Sequence, residues 1–335
     1  MANKNLTRAK REKNDEFYTR LSDIENELIH YRKHFKGKII FLNCDDPYES
    51  NFWFYFHKQF EFLGLKKLIA THYVKGERSF KLEYMGGDDN DIYSGIKTDL
   101  EGDGDFRSDE CIKLLKESDI VVTNPMFSLF REYVACLVKY EKDFLIIGNQ
   151  NAITYKEIFP LLKDEKMWLG YKSGSMSFYV PDREEYKKSS SFYIDEDGRN
   201  CRKFGNICWF TNLDIDKRHE NIPLAKFYEN DPSYYPKYDN YDAIEVSRVN
   251  EIPMDYEGVM GVPITFLHKF NPDQFEVLGS QRWCKSQEVI DLYRGDKEKC
   301  EDDKKTLING KETYDRIFIK HKNPISKKEF LGGNI

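Results

Sequence analysis

Apolar positions along the chain alternate between short continuous runs and stripes at helical spacing. Lys38 to Leu42 reads K-I-I-F-L, a buried strand that ends in the polar Asn43-Cys44-Asp45-Asp46-Pro47. Ser50 can cap the helix that follows, which carries Phe52, Phe54, Tyr55 and Phe60. Lys67 to Tyr73 predicts a second strand and Phe80 to Met85 a third, with the polar stretch from Gly86 to Asp99 blurring the register. Ser108 caps a helix with Asp109 and Glu110 in its first turn, where the helix dipole favours carboxylates. Ile120 to Val122 is a short β-branched strand that stops at Asn124-Pro125. A helix over Leu129 to Tyr140 and a strand over Phe144 to Gly148 come next. Thr154-Tyr155-Lys156-Glu157 is a capping box opening a further helix, and Met167 to Tyr171 is another strand. Ahead of all these, Ile24, Leu28 and Tyr31 form one stripe of a helix from about Ser22 to His34.

Strands alternating with helices over residues 38–171 predict an α/β fold with a doubly wound, mainly parallel sheet. Such sheets bind ligands beyond the carboxyl ends of their strands, where Asn43–Pro47 and Asn124–Phe127 both fall. The character then changes. Lys172 to Asn206 is polar with little helical period, Ile207 to Phe210 is one clear strand, and residues 214–335 are loop-rich. The expected division is an N-terminal arm and helix over 1–35, a catalytic domain over 36–213 and a C-terminal α+β region over 214–335. Residues 172–206 form a candidate recognition insertion within the catalytic domain.

A hydrophobic content of 40% in 335 residues supports a substantial core, and a net charge of −6 excludes a globally basic nucleic-acid coat. Local basic segments remain. Lys4, Arg8, Lys10, Arg11 and Lys13 make either a solvated arm or one that seeks phosphate. Lys304, Lys305, Lys311, Arg316, Lys320, Lys322, Lys327 and Lys328 offer the same two readings near the other end. The seven cysteines contain no C-x-x-C pair, so neither a zinc site nor a disulfide framework is expected, and a reducing cytoplasm is. No apolar run reaches membrane-spanning length and the charged N-terminus lacks the pattern of a signal peptide.

Walker-type, G-x-G-x-x-G, G-x-S-x-G and H-E-x-x-H motifs are missing, which argues against nucleotidase, dehydrogenase, serine hydrolase and zinc protease chemistry. Residues 99–110 approach calcium-loop spacing, but Glu101 and Arg107 stand at positions three and nine, and the preceding stretch does not read as an entering helix. Asn124-Pro125 followed by an aromatic suits one reaction. An exocyclic amine on a base is a poor nucleophile because its lone pair is delocalised into the ring. The Asn124 side-chain oxygen and the Pro125 carbonyl can each accept one N–H and turn that lone pair outward. Phe127 can stack on the base once it leaves the duplex.

Several ordered blocks carry a resemblance. They are Asp15-Glu16-Phe17-Tyr18-Thr19, Asn43-Cys44-Asp45-Asp46-Pro47, Gly102-Asp103-Gly104-Asp105-Phe106-Arg107-Ser108 and residues 115–125. Residues 128–135, 151–157, 209–214 and 261–267 continue the series. Together they resemble the EcoRI-methylase family of adenine-specific DNA methyltransferases over nearly the whole chain. The resemblance implies a Rossmann-like fold, S-adenosylmethionine as cofactor and transfer to adenine N6 of a flipped base in double-stranded DNA, as in restriction–modification. It makes Asn124, Pro125 and Phe127 the catalytic residues, and Tyr18, Thr19, Asn43, Asp45, Asp46, Asp105 and Phe106 the cofactor residues. No metal is implied. Residues 172–206 and the C-terminal region would read DNA, with Arg199, Asn200, Arg202, Arg218 and Arg282 as candidates by side-chain chemistry. A monomer is expected, since one subunit can place one base.

Two positions depart from the family pattern. Met126 stands where a second proline is usual, which removes stiffness from the loop and adds an N–H. Ala70-Thr71-His72 has no carboxylate for a cofactor ribose. Competing readings are a catalytically silent DNA-binding relative, and a methyltransferase acting on cytosine N4 or on RNA.

Overall fold

The computed structural model describes residues 17–43, 45–87, 90–283 and 285–332. The basic N-terminal segment, Asp15, Glu16 and Cys44 therefore lie outside the described residues. The chain divides into two compact units, Met1–Ala152 with Leu169–Leu213, and Ile153–Trp168 with Asp214–Ile335.

In the first unit, ten strands form one sheet: β1 (Tyr18–Thr19), β2 (Ile39–Leu42), β3 (Lys67–Thr71), β4 (Phe80–Tyr84), β5 (Ile96–Asp99), β6 (Ile120–Thr123), β7 (Asp143–Asn149), β8 (Trp168–Tyr179), β9 (Phe192–Ile194) and β10 (Asn200–Thr211). Their order is β1-β8-β10-β7-β6-β2-β3-β4-β5, with β9 on β10. The four central strands β3, β2, β6 and β7 are parallel, with Ile40 opposite both Leu68 and Ile120 and Val121 opposite Phe144. These are the runs the sequence marks as continuously apolar, and every residue of β2 and β6 is buried, as expected of parallel strands covered on both faces. The mixed α/β architecture with a parallel centre is Rossmann-like. Antiparallel strands extend it on both sides.

The longer helices between these strands are α1 (Leu21–Leu28), α2 (Asn51–Lys58), α3 (Asp109–Glu117) and α4 (Phe130–Lys139). Ser50 and Ser108 cap α2 and α3 as expected, accepting from Phe52 and Trp53 N–H and from Cys111 N–H. The long first helix is instead interrupted, passing from α1 into a 3-10 turn at Ile29–Tyr31 and a short helix at Arg32–Phe35. Chain order reverses at β2, which sits between β3 and β6. In sheets of this kind ligands bind beyond the carboxyl ends of the strands at such a reversal, here beyond β2 and β6.

Residues 172–206, the candidate recognition insertion, form the outer halves of β8 and β10, with the short helix Glu184–Lys187 and β9 between them. Met176 and Phe178 are buried while Ser175 and Ser177 are not, a period of two masked by small polar residues. Residues 96–99 form a strand, β5, that the polar stretch concealed, since all four side chains are exposed.

The second unit contains β11 (Ile244–Glu245), β12 (Val259–Val262), β13 (Phe275–Ser280), the small hairpin β14 (Leu307–Ile308) and β15 (Lys311–Glu312), and β16 (Ile317–His321). Its main sheet runs β11-β12-β16-β13 over a core of Tyr238, Tyr241, Leu278, Val289 and Phe318. Arg316, counted above with the basic cluster, is buried and makes an ion pair with Glu245. The helix expected from Thr154 starts only at Phe159, because Pro160 lacks an N–H and is tolerated in a first turn but not in a helix interior. No helix among the described residues is long and apolar enough to cross a membrane.

Candidate active site

Asn43 follows directly on β2 and is almost fully buried. Its side-chain oxygen accepts from the Thr71 hydroxyl of β3 at 3.2 Å, and its carbonyl accepts from the Thr123 hydroxyl of β6 at 3.2 Å. One residue thus ties the three strand ends together, which fixes the spacing between the loops that follow them.

Asp45 and Asp46 project from the loop after β2. The Ser50 hydroxyl donates to the Asp45 carboxylate while its oxygen caps α2. Burial pushes the Asp45 carboxyl up to about 7, with the Ser50 hydrogen bond opposing the shift and the Asp46 charge adding to it. Asp46 accepts from Tyr48 N–H at 3.0 Å and faces His72 Nε2 at 3.4 Å. The end of β3 therefore presents an imidazole to the loop, where the sequence showed that no carboxylate was available.

Asn124 follows β6. Its side-chain Nδ2 donates to the Phe17 carbonyl at 2.8 Å. Only the nitrogen of an amide can donate to a carbonyl, so this bond orients the group. The side-chain oxygen, Oδ1, is buried and has no hydrogen-bond partner. Such an atom is costly to leave unsatisfied unless a ligand donates to it. Pro125 is buried, and Met126 sits at φ −53° and ψ 122°, within the range of proline itself. At Met126 the backbone takes the shape that a second proline would impose. Phe127 is half-buried at the start of a 3-10 turn.

The N-terminal strand closes the site from one side. Tyr18 and Thr19 pair with Tyr179 and Phe178 of β8. Asn51, the first residue of α2, donates from Nδ2 to the Thr19 carbonyl at 2.7 Å. The Thr19 hydroxyl oxygen is buried and unpartnered, a second orphan in the same region. Phe17 has ring neighbours on several sides: Phe204 at 4.8 Å edge-on, Phe178 and Phe127 both at 6.1 Å, and Tyr186 at 6.2 Å. Sequence reasoning missed Phe17, Asn51, Phe178 and Phe204 as parts of this site. Phe17 stands inside a quoted motif block, but the contribution of a main-chain carbonyl has no residue-type signature.

Residues 102–105 pack along the end of β3, with Ser79 N–H donating to the Gly102 carbonyl and Val74 N–H to that of Asp103. Gly104 has φ +80°, and a Cβ there would lie 2.0 Å from the His72 carbonyl oxygen, so only glycine allows this approach. Asp105 is held by Arg107, whose hydrogen bonds keep its carboxyl below the usual range. Phe106 is 5% exposed and packs edge-on against Tyr133 at 5.0 Å. In the segment with calcium-like spacing, Glu110 accepts from Glu101 and Gly102 N–H, both at 2.9 Å. Among the described residues no cluster of side chains could hold a metal ion.

The five candidates for DNA contact are not alike. Arg199 pairs with Asp195 and Asp197. In the second unit, Arg218 pairs with Glu165 at 2.5 Å and Arg282 with Asp315 at 2.9 Å. Asn200 pairs with Ile194 in the β9–β10 ladder. Arg202 is buried in the first unit and bonds to the hydroxyls of Ser189 and Ser191.

Comparison with known proteins adds an independent line. Residues 5–322 match the family model described as adenine-specific methyltransferase EcoRI. The chain is 48% identical to the type II methyltransferase M.EcoRI of Escherichia coli, covering 96% of this chain and 97% of that one. It is 39% identical to the type II methyltransferase M.MpnI of Mycoplasma pneumoniae, covering 96% of this chain and 99% of the relative. It is 40% identical to the type II methyltransferase M.MgeORF184P of Mycoplasma genitalium, covering 94% and 98%. No solved structure matches significantly.

Proposed function

The chain belongs to the family of the adenine-specific methyltransferase EcoRI, and on that premise we propose how its residues carry out the reaction. It is a DNA adenine methyltransferase of the restriction–modification kind, and its cofactor is S-adenosylmethionine. The observation that carries the catalytic assignment is the Asn124 amide, turned by the Phe17 carbonyl so that its oxygen is buried and free to accept.

Asn124 Oδ1 accepts one hydrogen of the adenine N6 amine and the Pro125 carbonyl accepts the other. Held between two acceptors, the nitrogen lone pair leaves conjugation with the ring. When bound, the cofactor supplies an electrophilic methyl group. Asn124 and Pro125 would hold the N6 lone pair toward that methyl group, which the cofactor's sulfur would give up, and one N6 proton would be lost to solvent. Phe127 stacks on the base. An amide serves better than a carboxylate here, because the group must accept at one atom and donate to Phe17 from the other.

The residues present fit the cofactor. The buried, unpartnered Thr19 hydroxyl and the acidic loop of Asp45 and Asp46 flank the same strand ends as Asn43. Tyr18 and Thr19 would hold its methionine end, Asn43, Asp45 and Asp46 would bind it from the end of β2 and the loop that follows, and Asp105 with Phe106 from the loop after β5. The edge contact of Phe106 with Tyr133 would steady that loop for the contact. We assign the catalytic domain to 36–213, the N-terminal 1–35 to its cofactor side, and target recognition to 214–335 with the outer parts of β8 and β10. The protein is proposed to act in the cytoplasm as a monomer on double-stranded DNA, extruding one adenine per event.

Sequencing DNA from cells that express the chain, with detection of N6-methyladenine, identifies the modified site. Purified protein should then methylate a duplex carrying it. Asn124→Ala should lower the rate by about 10²-fold or more, as removal of a transition-state contact does, with cofactor binding retained. An unchanged rate in that variant would refute the mechanism.

A further inference from the structure

Arg202 is 9% exposed, and Arg316 in the other unit is 7% exposed, yet the two guanidinium groups are treated differently. Arg316 meets the Glu245 carboxylate through both Nε and Nη2. Arg202 meets only neutral groups: Nε donates to the Ser191 hydroxyl at 3.3 Å and Nη2 to the Ser189 hydroxyl at 3.2 Å. The two hydroxyls are bonded to each other at 2.9 Å. Aromatic faces complete the surroundings, with the guanidinium carbon 4.8 Å from the Phe204 ring, 5.4 Å from Tyr186 and 5.8 Å from Phe17. Arg107, Arg199, Arg218, Arg282 and Arg294 all have carboxylate partners. Among the described residues none neutralises Arg202.

Rings offset part of the cost of burying a cation but carry no net charge, and long hydrogen bonds to serine do not compensate for lost water. Burial accordingly pulls the guanidinium pKa below its ordinary value. A buried cation kept without a counter-ion signals that one arrives with a ligand. Ser189 and Ser191 are only half-buried, so the two hydroxyls that Nε and Nη2 meet belong to residues that reach solvent. The position also matters. Phe17, whose ring packs on Phe204 beside Arg202, is the residue whose carbonyl orients Asn124. An anion on Arg202 would therefore lie within a nucleotide's reach of the base-holding amide.

We propose that Arg202, with the hydroxyls of Ser189 and Ser191, is the seat for a DNA backbone phosphate of the extruded nucleotide. The planar guanidinium can present two parallel N–H groups to a phosphodiester, and the serine hydroxyls can add a third donor. Neutralisation on binding then makes flipping and charge compensation one event. This rests on the DNA methyltransferase reading given above.

The test uses the full chain and a short duplex carrying the sequenced site, with 2-aminopurine in place of the target adenine. For Arg202→Gln we expect duplex affinity to fall about 10-fold and the slope of log affinity against log salt to lose about 0.9, the value of one phosphate. The 2-aminopurine fluorescence gained on binding should drop, and cofactor affinity by calorimetry should not change. Thermal stability should hold or rise, since the variant removes an uncompensated charge. Arg202→Lys should restore the salt slope but only part of the affinity. A duplex affinity and salt slope equal to those of the parent protein would overturn the proposal. So would a loss of cofactor affinity with DNA binding intact, which would assign the seat to the cofactor carboxylate. If Arg202→Gln does not fold, Ser189→Ala with Ser191→Ala decides: weakened duplex binding supports the seat, and unchanged binding overturns it. A parent protein that binds and flips but transfers no methyl group would refute the enzymatic reading and leave the seat standing.

Discussion

The side-chain amide of Asn124 donates to the main-chain carbonyl of Phe17 at 2.8 Å, across 107 residues of sequence. That bond decides which end of the amide faces the substrate, and it makes the N-terminal strand part of the catalytic loop.

Asn124→Asp follows directly. A carboxylate cannot donate to the Phe17 carbonyl, and two oxygens would face each other at hydrogen-bonding distance. We expect methyl transfer to fall at least 10-fold, with KM for DNA altered less than kcat. Steady-state kinetics check this, and activity near that of the parent would show that the Phe17 bond does not orient the acceptor.

Met126→Pro tests the loop. Met126 already holds φ −53° and ψ 122°, and its carbonyl accepts from Leu129 N–H at 2.9 Å, a bond that proline keeps. Proline at a compatible position stabilises by about 0.4–1 kcal/mol through the unfolded chain. The variant should melt slightly higher and retain activity within about 3-fold; a lower melting temperature would mean that the backbone is not proline-like.

Asn51→Ala removes the tether between α2 and the Thr19 carbonyl, a 2.7 Å bond. Loss of a single such bond costs about 1 kcal/mol in stability. If β1 must be held for cofactor binding, KM for S-adenosylmethionine should rise about 10-fold while kcat changes little. A fall in kcat alone would place the effect elsewhere.

Asp45→Asn addresses pH. The Asp45 carboxyl is raised to about 7 by burial, so the folded protein holds a proton that the unfolded chain releases near the ordinary value of 3.8. The unfolded state thus binds fewer protons between about pH 4 and 7, and this residue's stabilising contribution, full below that window, is lost as pH rises through it. Melting temperatures from pH 5 to 8 should decline less in Asp45→Asn than in the parent. Parallel curves would show that Asp45 ionises normally.

Much of the architecture was legible in the sequence because parallel strands buried on both faces leave continuous apolar runs. Ile39–Leu42, Ile120–Val122 and Phe144–Ile147 are such runs, and the caps at Ser50 and Ser108 bound their helices by local chemistry. Beyond those runs the strands were legible only in part: the strand expected over 167–171 is the start of β8, while its outer half, which alternates Met176 and Phe178 with small polar residues, and the fully exposed β5 are strands by tertiary pairing rather than composition.

The same division holds in the site. Local sequence by itself determined that Asn124, Pro125 and Phe127 stand at a strand end, because β-branched residues, an Asn-Pro step and an aromatic specify that geometry within a few residues. Only the tertiary structure decided the amide's direction, the proline-like turn at Met126 and the isolation of the Arg202 charge. Each of these depends on groups distant in the chain: the Phe17 carbonyl, the packing of the loop, and the lack of a carboxylate around Arg202 among the described residues. Sequence specifies which donors and acceptors exist; folding determines which of them are satisfied and which are left for substrate.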